Sequence, residues 1–254
     1  MPRCLQWLFL PVVLVVALFS FSFAAGKEDY SFLDAGFVRL DLLIPDVIQD
    51  IRYAGENNFA GARIDGYEAP VALLSRQAAE ALRKAADDFR SRGYRIVIFD
   101  AYRPESAVEH FIRWVMDDSD TSTQATYYPT LSKRALLSLG YISMSSSHSR
   151  GSAVDLTLAD AAGDPIDMGG GFDLFSPLSA HGAKSLTPEQ AANRELLRSI
   201  MAKNGFNAYQ NEWWHYTLRK EPFPNQRFRF PITDRIQFLD IPRSPFKNAP
   251  GTAN

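Results

Sequence analysis

Residues 145–158, SSSHSRGSAVDLTL, join a turn of small polar residues to an apolar stretch. AVDLTL (153–158) alternates in polarity and predicts a β-strand. His148 and Asp155 are seven positions apart, so in one continuous strand they would point to opposite faces. A turn between them, permitted by Gly151, would bring both toward one ion, and the missing side chain would let the backbone pass close to it. Two interpretations stay open from this pattern alone: half of a metal site, or a solvated loop.

The residues before this stretch predict alternating helices and strands. LLSRQAAEALRKAADDFRSRG (73–93) has apolar residues at helical spacing, with Ser75 as the candidate N-cap. YRIVIF (94–99) predicts a buried strand. PESAVEHFIRWVMDD (104–118) predicts a second helix with proline at its first position.

The residues after it continue the mixture. A glycine-rich loop is predicted at 163–175, and TPEQ (187–190) is a capping box that begins a helix. EWWHYTL (212–218) is rich in aromatic residues and predicts another strand. With no internal repeat, these elements predict a single α+β domain. Its central sheet is mostly antiparallel and flanked by helices, with the candidate metal site at the sheet.

The composition of the chain is that of a globular protein. Of its 254 residues, 46% are hydrophobic and 22% are charged. The formal net charge is −2, and the pI is about 6.1. No basic surplus favours binding to nucleic acid or to an anionic membrane surface.

The first 26 residues, MPRCLQWLFLPVVLVVALFSFSFAAG, resemble a secretory leader. One positive charge precedes an apolar run that ends in small residues, so residues 1–25 are predicted to be a signal peptide. An uncleaved membrane anchor is the alternative, because about 20 apolar residues can span a bilayer. Both place the rest of the chain outside the cytoplasm. We therefore expect a periplasmic protein without stable membrane insertion after cleavage.

The mature chain is predicted to be one globular domain at 26–232. The proline-rich extension at 233–254 is predicted to be partly disordered. The single cysteine, Cys4, lies in the leader, so the mature chain has neither a disulfide nor a thiol nucleophile.

His215 adds a third ligand candidate to His148 and Asp155. Two imidazoles and one carboxylate suit Zn²⁺ and leave a fourth position for water. Nearby, Glu212 could act as the base for that water, or it could be an exposed acid at a strand edge. In a strand, Glu212 and His215 would face opposite sides, so a bulge or a turn would be needed.

Other residues could complete the site. The tryptophans at 213 and 214 could shield it from solvent, although core packing is the simpler role. Arg103 follows a predicted strand and could stabilise an oxyanion. By itself, a surface arginine before a helix explains it equally well.

Taken together, the motifs resemble the VanX-type D-alanyl-D-alanine dipeptidases, which are zinc D,D-peptidases. The resemblance runs from about residue 37 to 232. It is carried by IRYAGENNFAG (51–61), IDGYEA (64–69), FDAYRP (99–104), SSHSRGSAVDLTL (146–158), MGGGFD (168–173), EWWHYTL (212–218) and EPFPNQRFRFPI (221–232).

The resemblance implies specific roles. One Zn²⁺ per chain would be bound by His148, Asp155 and His215. Glu212 would be the general base, and Arg103 would stabilise the transition state. The acid that binds the substrate's amino group would be Asp173, and Ser146 would be a pocket serine.

The implied function is hydrolysis of the dipeptide D-Ala-D-Ala to two D-alanines. Family members in vancomycin resistance act in the cytoplasm, whereas the leader predicts export. We therefore expect a role in turnover or salvage of peptidoglycan peptides. The alternatives are a D,D- or L,D-carboxypeptidase that trims stem peptides, or a non-catalytic zinc- or peptidoglycan-binding module.

Overall fold

The structure is a computed structural model that describes residues 36–234. The predicted leader at 1–25 and residues 235–254 of the extension lie outside the described residues. Within the described range, no helix is both long enough and apolar enough to cross a membrane.

A five-stranded sheet forms the centre of the molecule. The strands of the described residues are β1 (Phe37–Arg39), β2 (Ile48–Gln49), β3 (Leu73–Ser75), β4 (Arg95–Asp100), β5 (Ala153–Ala159), β6 (Phe206–Ala208) and β7 (His215–Leu218). The central sheet has the order β2-β4-β5-β7-β6, and β1 pairs with β3 in a separate ribbon. Only β2 and β4 run parallel in the central sheet. The prediction of an α+β domain with a mostly antiparallel sheet is confirmed.

Six α-helices accompany the strands between residues 36 and 234. They are α1 (Leu40–Leu43), α2 (Arg76–Arg90), α3 (Glu105–Met116), α4 (Gln124–Tyr127), α5 (Lys133–Ser138) and α6 (Pro188–Lys203). Short 3₁₀ turns lie at Arg52–Ala54, His148–Arg150 and Pro177–Ser179. The apolar face predicted for α2 is buried, because Ala78, Leu82, Ala85, Ala86 and Phe89 all belong to the core.

The helix caps follow the sequence in one case and depart from it in two. Thr187 and Gln190 form the predicted capping box of α6. Ser75 stands at the N-cap of α2, but its hydroxyl donates to the carbonyl oxygen of Gly151 at 2.8 Å instead of capping. Pro104 is the N-cap of α3 and not its first helical residue. A tertiary hydrogen bond therefore engages the side chain of Ser75, which the local sequence predicted to be a helix cap.

Strand β5 lies at the centre of the sheet. It is paired with β4 on one edge and with β7 on the other. All seven of its residues are buried, including the polar ones of the alternating sequence. Asp155 and Thr157 are therefore buried polar residues, and buried polar groups need partners.

Candidate active site

A cavity of about 540 Å³ opens beside the middle of the sheet. All seven residues that the sequence singled out line it: Arg103, Ser146, His148, Asp155, Asp173, Glu212 and His215. The tertiary structure thus brings together residues that are spread over more than a hundred positions of the chain.

The first two ligand candidates are placed by a turn followed by a strand. His148 begins a 3₁₀ turn, Gly151 adopts a left-handed φ of +66°, and β5 begins at Ala153. Asp155 then lies directly opposite His215 in the antiparallel pairing of β5 with β7. The predicted turn between His148 and Asp155 is confirmed.

Gly151, however, is needed for a different reason from the one expected. A Cβ atom built on it would lie 2.4 Å from the ring of Phe37, and not against the site of an ion. The missing side chain therefore makes room for an aromatic ring of the core.

The three donor groups converge on one point. His148 Nε2 lies 3.1 Å from His215 Nδ1 and 3.3 Å from Asp155 Oδ2. His215 Nδ1 lies 2.9 Å from Asp155 Oδ1. In a tetrahedral zinc site with bonds of about 2.05 Å, neighbouring donors are about 3.3 Å apart. The separations are therefore close to those that one Zn²⁺ requires, and the donor set fits this ion.

Second partners determine which nitrogen of each imidazole faces that point. His148 Nδ1 lies 2.6 Å from the carbonyl oxygen of Ala101, which can only accept, so this nitrogen carries the proton and Nε2 keeps its lone pair. His215 Nε2 lies 3.2 Å from the hydroxyl of Thr217, which leaves Nδ1 for the metal.

Electrostatics distinguish the ligand carboxylate from the other acids of the cavity. Burial by itself would raise the pKa of Asp155, but the imidazoles of His148 and His215 hold that pKa well below its usual range. Burial, together with the charge of Asp155, raises the pKa of Glu212 and of Asp173 well above the ordinary value.

Arg103 belongs to the wall of the site and is not a surface residue, since its side chain is only 13% exposed. Its Nε and Nη2 both lie 2.8 Å from Asp100 Oδ2, and Nη2 lies 3.4 Å from Asp155 Oδ2. The rings of Tyr53 and Phe111 pack against the guanidinium at 5.2 and 4.9 Å. The guanidinium is thereby fixed at the wall of the cavity.

Sequence analysis missed Asp100. This residue is fully buried at the end of β4, where it also accepts a hydrogen bond from the hydroxyl of Tyr67 at 2.6 Å. Its position three residues before Arg103 in FDAYRP was the available signal, since a buried arginine needs an anionic partner.

Asp173 enters the cavity from the glycine-rich loop. Its backbone has a φ of 58°, which is uncommon for a residue with a side chain. The hydroxyl of Tyr53, a second residue that sequence analysis missed, donates to Asp173 Oδ2 at 2.9 Å. Ser146 lines the cavity as well, but its Oγ accepts a hydrogen bond from the backbone N–H of His148 at 3.2 Å.

Glu212 lies in a turn, so the prediction of a strand over 212–218 is wrong for its first three residues. The backbone N–H of His215 bonds to the carbonyl of Glu212 at 3.3 Å, and β7 begins only at His215. This turn removes the strand geometry that would have placed Glu212 and His215 on opposite faces. Trp214 lines the cavity as one interpretation held, whereas Trp213 packs on Arg194 outside it.

Three convergent donors, a buried carboxylate without a cation and a fixed arginine in one cavity define a metal-dependent hydrolase. The peptidase M15 family model, described as D-Ala-D-Ala dipeptidase, matches residues 33–233. The chain belongs to this family, as the sequence motifs indicated.

Relatives of known name are similar in sequence to most of this chain. A D-alanyl-D-alanine dipeptidase of Enterococcus faecium is 41% identical over 201 residues, which are 79% of this chain and 100% of the relative. One of Streptomyces coelicolor is 41% identical, covering 77% of this chain and 98% of the relative. One of Escherichia coli is 35% identical, covering 71% and 83%.

Among solved structures, a mutant of the vancomycin resistance D,D-pentapeptidase VanY, in complex with Zn(II), is similar at 16% identity. The TM-score is 0.36, and the match covers 59% of this chain and 74% of that one. A likeness this distant does not bear on the chemistry of the chain.

Proposed function

We propose that this protein is a zinc-dependent dipeptidase that hydrolyses free D-Ala-D-Ala to two D-alanines. The observation that carries the proposal is the convergence of His148, Asp155 and His215 beside Glu212 and Arg103, in a chain of the D-Ala-D-Ala dipeptidase family.

The metal and the general base have separate roles in the attack of water on the peptide bond. Zn²⁺ held by His148, Asp155 and His215 would act as a Lewis acid and lower the pKa of water. Glu212 takes the proton of the attacking water and later passes it to the leaving amine. Its carboxylate lines the same cavity and forms no ion pair within residues 36–234, so it is free for both transfers.

Arg103 stabilises the oxyanion that forms at the scissile carbonyl. Its bonds to Asp100 hold the guanidinium in place before the reaction, so little reorganisation is needed when negative charge develops. Asp100 touches no substrate in this scheme and acts as a positioning residue.

Asp173 binds the free ammonium of the dipeptide. Burial raises the pKa of its carboxyl, and a cation beside it would restore the ionised form. An N-acylated substrate offers no such cation and would leave this polar group without its partner, which is costly. The selection for a free dipeptide rests on this residue, because a cavity of about 540 Å³ is itself large for two alanines.

The decisive experiment compares free D-Ala-D-Ala with N-acetyl-D-Ala-D-Ala, each with and without a chelator. We expect hydrolysis of the free dipeptide alone, abolished by the chelator and restored by zinc. Equal cleavage of the acetylated compound would favour the carboxypeptidase alternative and contradict the role of Asp173.

A variant separates the enzyme from a non-catalytic zinc-binding module. Glu212→Ala should keep its zinc and lose several orders of magnitude in kcat, since it removes the base and no ligand. Glu80→Ala, on the exposed face of α2, is the matched control and should retain wild-type kcat. Loss of zinc from Glu212→Ala would show that this residue was misassigned.

We further propose that the protein works in the periplasm, where it recovers D-alanine from D-Ala-D-Ala released by peptidoglycan turnover. The support is the apolar leader at 1–25, which would carry the enzyme away from cytoplasmic precursor pools. Fractionation of cells that produce the full chain, with mass analysis of the product, tests this. A cytoplasmic product of full length would contradict it, and a full-length membrane product would indicate the anchor.

A further inference from the structure

A second cavity, of about 310 Å³, shares no lining residue with the metal-site cavity. It lies between α6 and the segment around 180–186, and Gln210 also borders it. Its polar wall consists of His181, Arg194 and Arg198, with the acid Glu195 beside them.

Arg194 is buried to an unusual degree for an arginine without a carboxylate partner. Its side chain is 3% exposed, and it forms no ion pair within the described range. Nε donates to the carbonyl of Met168 at 2.6 Å, and Nη1 donates to those of Leu178 and Ala180 at 2.9 and 3.0 Å. Nη2 is buried and has no hydrogen-bond partner in residues 36–234. Burial lowers the pKa of Arg194 to about 10.

His181 presents a second unpaired group. Its Nε2 is buried without a hydrogen-bond partner in the described part of the chain. Burial first, and then the charges of Arg198 and Arg194, lower the pKa of His181 to about 4, so the ring is neutral at pH 7. A neutral ring that carries its proton on Nε2 is a hydrogen-bond donor.

Two residues of the cavity wall therefore carry buried polar atoms, Arg194 Nη2 and His181 Nε2, that have no hydrogen-bond partner within residues 36–234. A buried donor without a partner costs roughly 1–3 kcal/mol. Glu195 does not supply the acceptor, because it is exposed and bonds to Arg198 at 2.7 Å. A small oxyanion in the cavity would offer an acceptor to Arg194 Nη2, and to His181 Nε2 in the tautomer that carries its proton on that nitrogen. Hydrogen bonds between guanidinium and oxyanion are among the stronger kinds.

We propose that this cavity is a binding site for a small oxyanion, a carboxylate or inorganic phosphate, held by Arg194 and His181 with Arg198 at its entrance.

The position of the site connects it to the catalytic cavity, a consequence that rests on the proposed function. Arg194 bonds to the carbonyls of Met168 and Leu178, which lie on either side of Asp173. On the other side, the backbone N–H of His181 donates to the carbonyl of Gln210 at 2.9 Å, two residues before Glu212. An anion that bridges Arg194 and His181 would steady both segments that carry the proposed catalytic carboxylates.

The test observes the imidazole signals of the zinc-loaded full chain by NMR while acetate or inorganic phosphate is added at constant ionic strength. His181→Leu identifies the His181 signal. We expect that signal to shift and saturate, with a Kd on the order of 1 mM for at least one anion. A response to acetate alone indicates a carboxylate ligand, and a response to phosphate alone indicates phosphate.

Variants that leave the contacts of Arg194 intact locate the binding. Arg198→Gln should weaken the anion at least about tenfold. Arg83→Gln, which also removes an exposed arginine from a helical ion pair, should leave the affinity unchanged. The proposal is overturned if the His181 signal does not saturate with either anion up to about 50 mM, or if Arg198→Gln binds as tightly as the wild type. Because no hydrolysis is measured, the result is independent of the proposed dipeptidase activity.

Discussion

At the scale of single residues, the site is defined by an excess of buried carboxylates. Asp100, Asp155 and Asp173 are buried, Glu212 is partly buried, and all four carboxylates lie around the guanidinium of Arg103. Buried charges of one sign are tolerated only with counter-charges. In the proposed mechanism, a divalent cation at the three candidate ligands and the ammonium of a dipeptide would add to the positive charge of Arg103. Burial, together with the negative charge of Asp155, raises the pKa values of Asp173 and Glu212.

Removal of Arg103 should damage the chemistry more than substrate binding. Arg103→Ala removes the oxyanion partner, and we expect a loss of roughly 10²–10³ in kcat. The substitution also leaves Asp100 without its guanidinium, so the melting temperature should be measured beside the kinetics. Arg103→Lys is the matched variant, which keeps the positive charge but loses the planar guanidinium with its several hydrogen-bond donors. An unchanged kcat in Arg103→Ala would contradict the role.

Gly151 should be among the positions least tolerant of a side chain. Gly151→Ala would place a Cβ 2.4 Å from the ring of Phe37 at a φ of +66°, and we expect a loss of about 2–4 kcal/mol in the free energy of unfolding. Gly93→Ala is the control, since its φ is +84° but no atom lies within 4 Å. It should cost about 1 kcal/mol. Chemical denaturation measures both, and equal losses would refute the clash.

At the scale of elements, the site depends on how segments end. The turn before β5 sets His148 beside Asp155, the end of β4 presents Asp100 and Arg103, and the turn before β7 presents Glu212. Helix α6 contributes indirectly, because its Arg194 bonds to carbonyls of the loop that carries Asp173. Short connections on a rigid sheet therefore position the reactive groups, which is where catalytic residues often occur.

The capping box of α6 should contribute measurably to stability. Thr187→Ala removes the side chain that accepts from Gln190 N at 3.2 Å, and we expect a loss of about 1 kcal/mol in the free energy of unfolding. Ser185→Ala, two residues earlier at an exposed position, should change it little. Denaturant titration of both variants tests this, and similar values for the two would show that the box is not needed.

At the scale of the whole molecule, we expect metal binding and folding to be coupled. The three candidate ligands lie on a turn and on two paired strands, so they converge only in the folded chain. A ligand that binds the folded state alone stabilises it according to its concentration and affinity.

Metal removal should therefore lower the melting temperature of the wild type by several degrees, which corresponds to about 1–2 kcal/mol or more. The control is His148→Ala, which lacks a ligand, and its melting temperature should respond little to a chelator. Calorimetry with and without the chelator gives the result. A wild type that melts at the same temperature in both conditions would argue against a metal site.

Motifs along the chain were sufficient to predict the family, the candidate ligands and most helices and strands. The helices and the turn follow from local signals, such as the helical spacing of α2, the capping box of α6 and the glycine that permits a turn before β5. The roles of the three ligand candidates, of the candidate base and of Arg103 came from the resemblance to the family, because each pattern by itself left an alternative open. Their convergence in one cavity is what those motifs predict.

The hydrogen-bond and packing partners of these residues could be identified only in the folded chain. Tyr53 donates a hydrogen bond to Asp173 across 120 positions of the chain. The ring of Phe37, more than a hundred positions away from Gly151, occupies the space that a side chain at residue 151 would need. Ser75 gives its hydroxyl to a distant carbonyl and not to its own helix. Such contacts depend on which surfaces pack together in space, and spacing along the chain carries no record of them. For the same reason, the unpaired donors of Arg194 and His181 became visible only in the folded molecule.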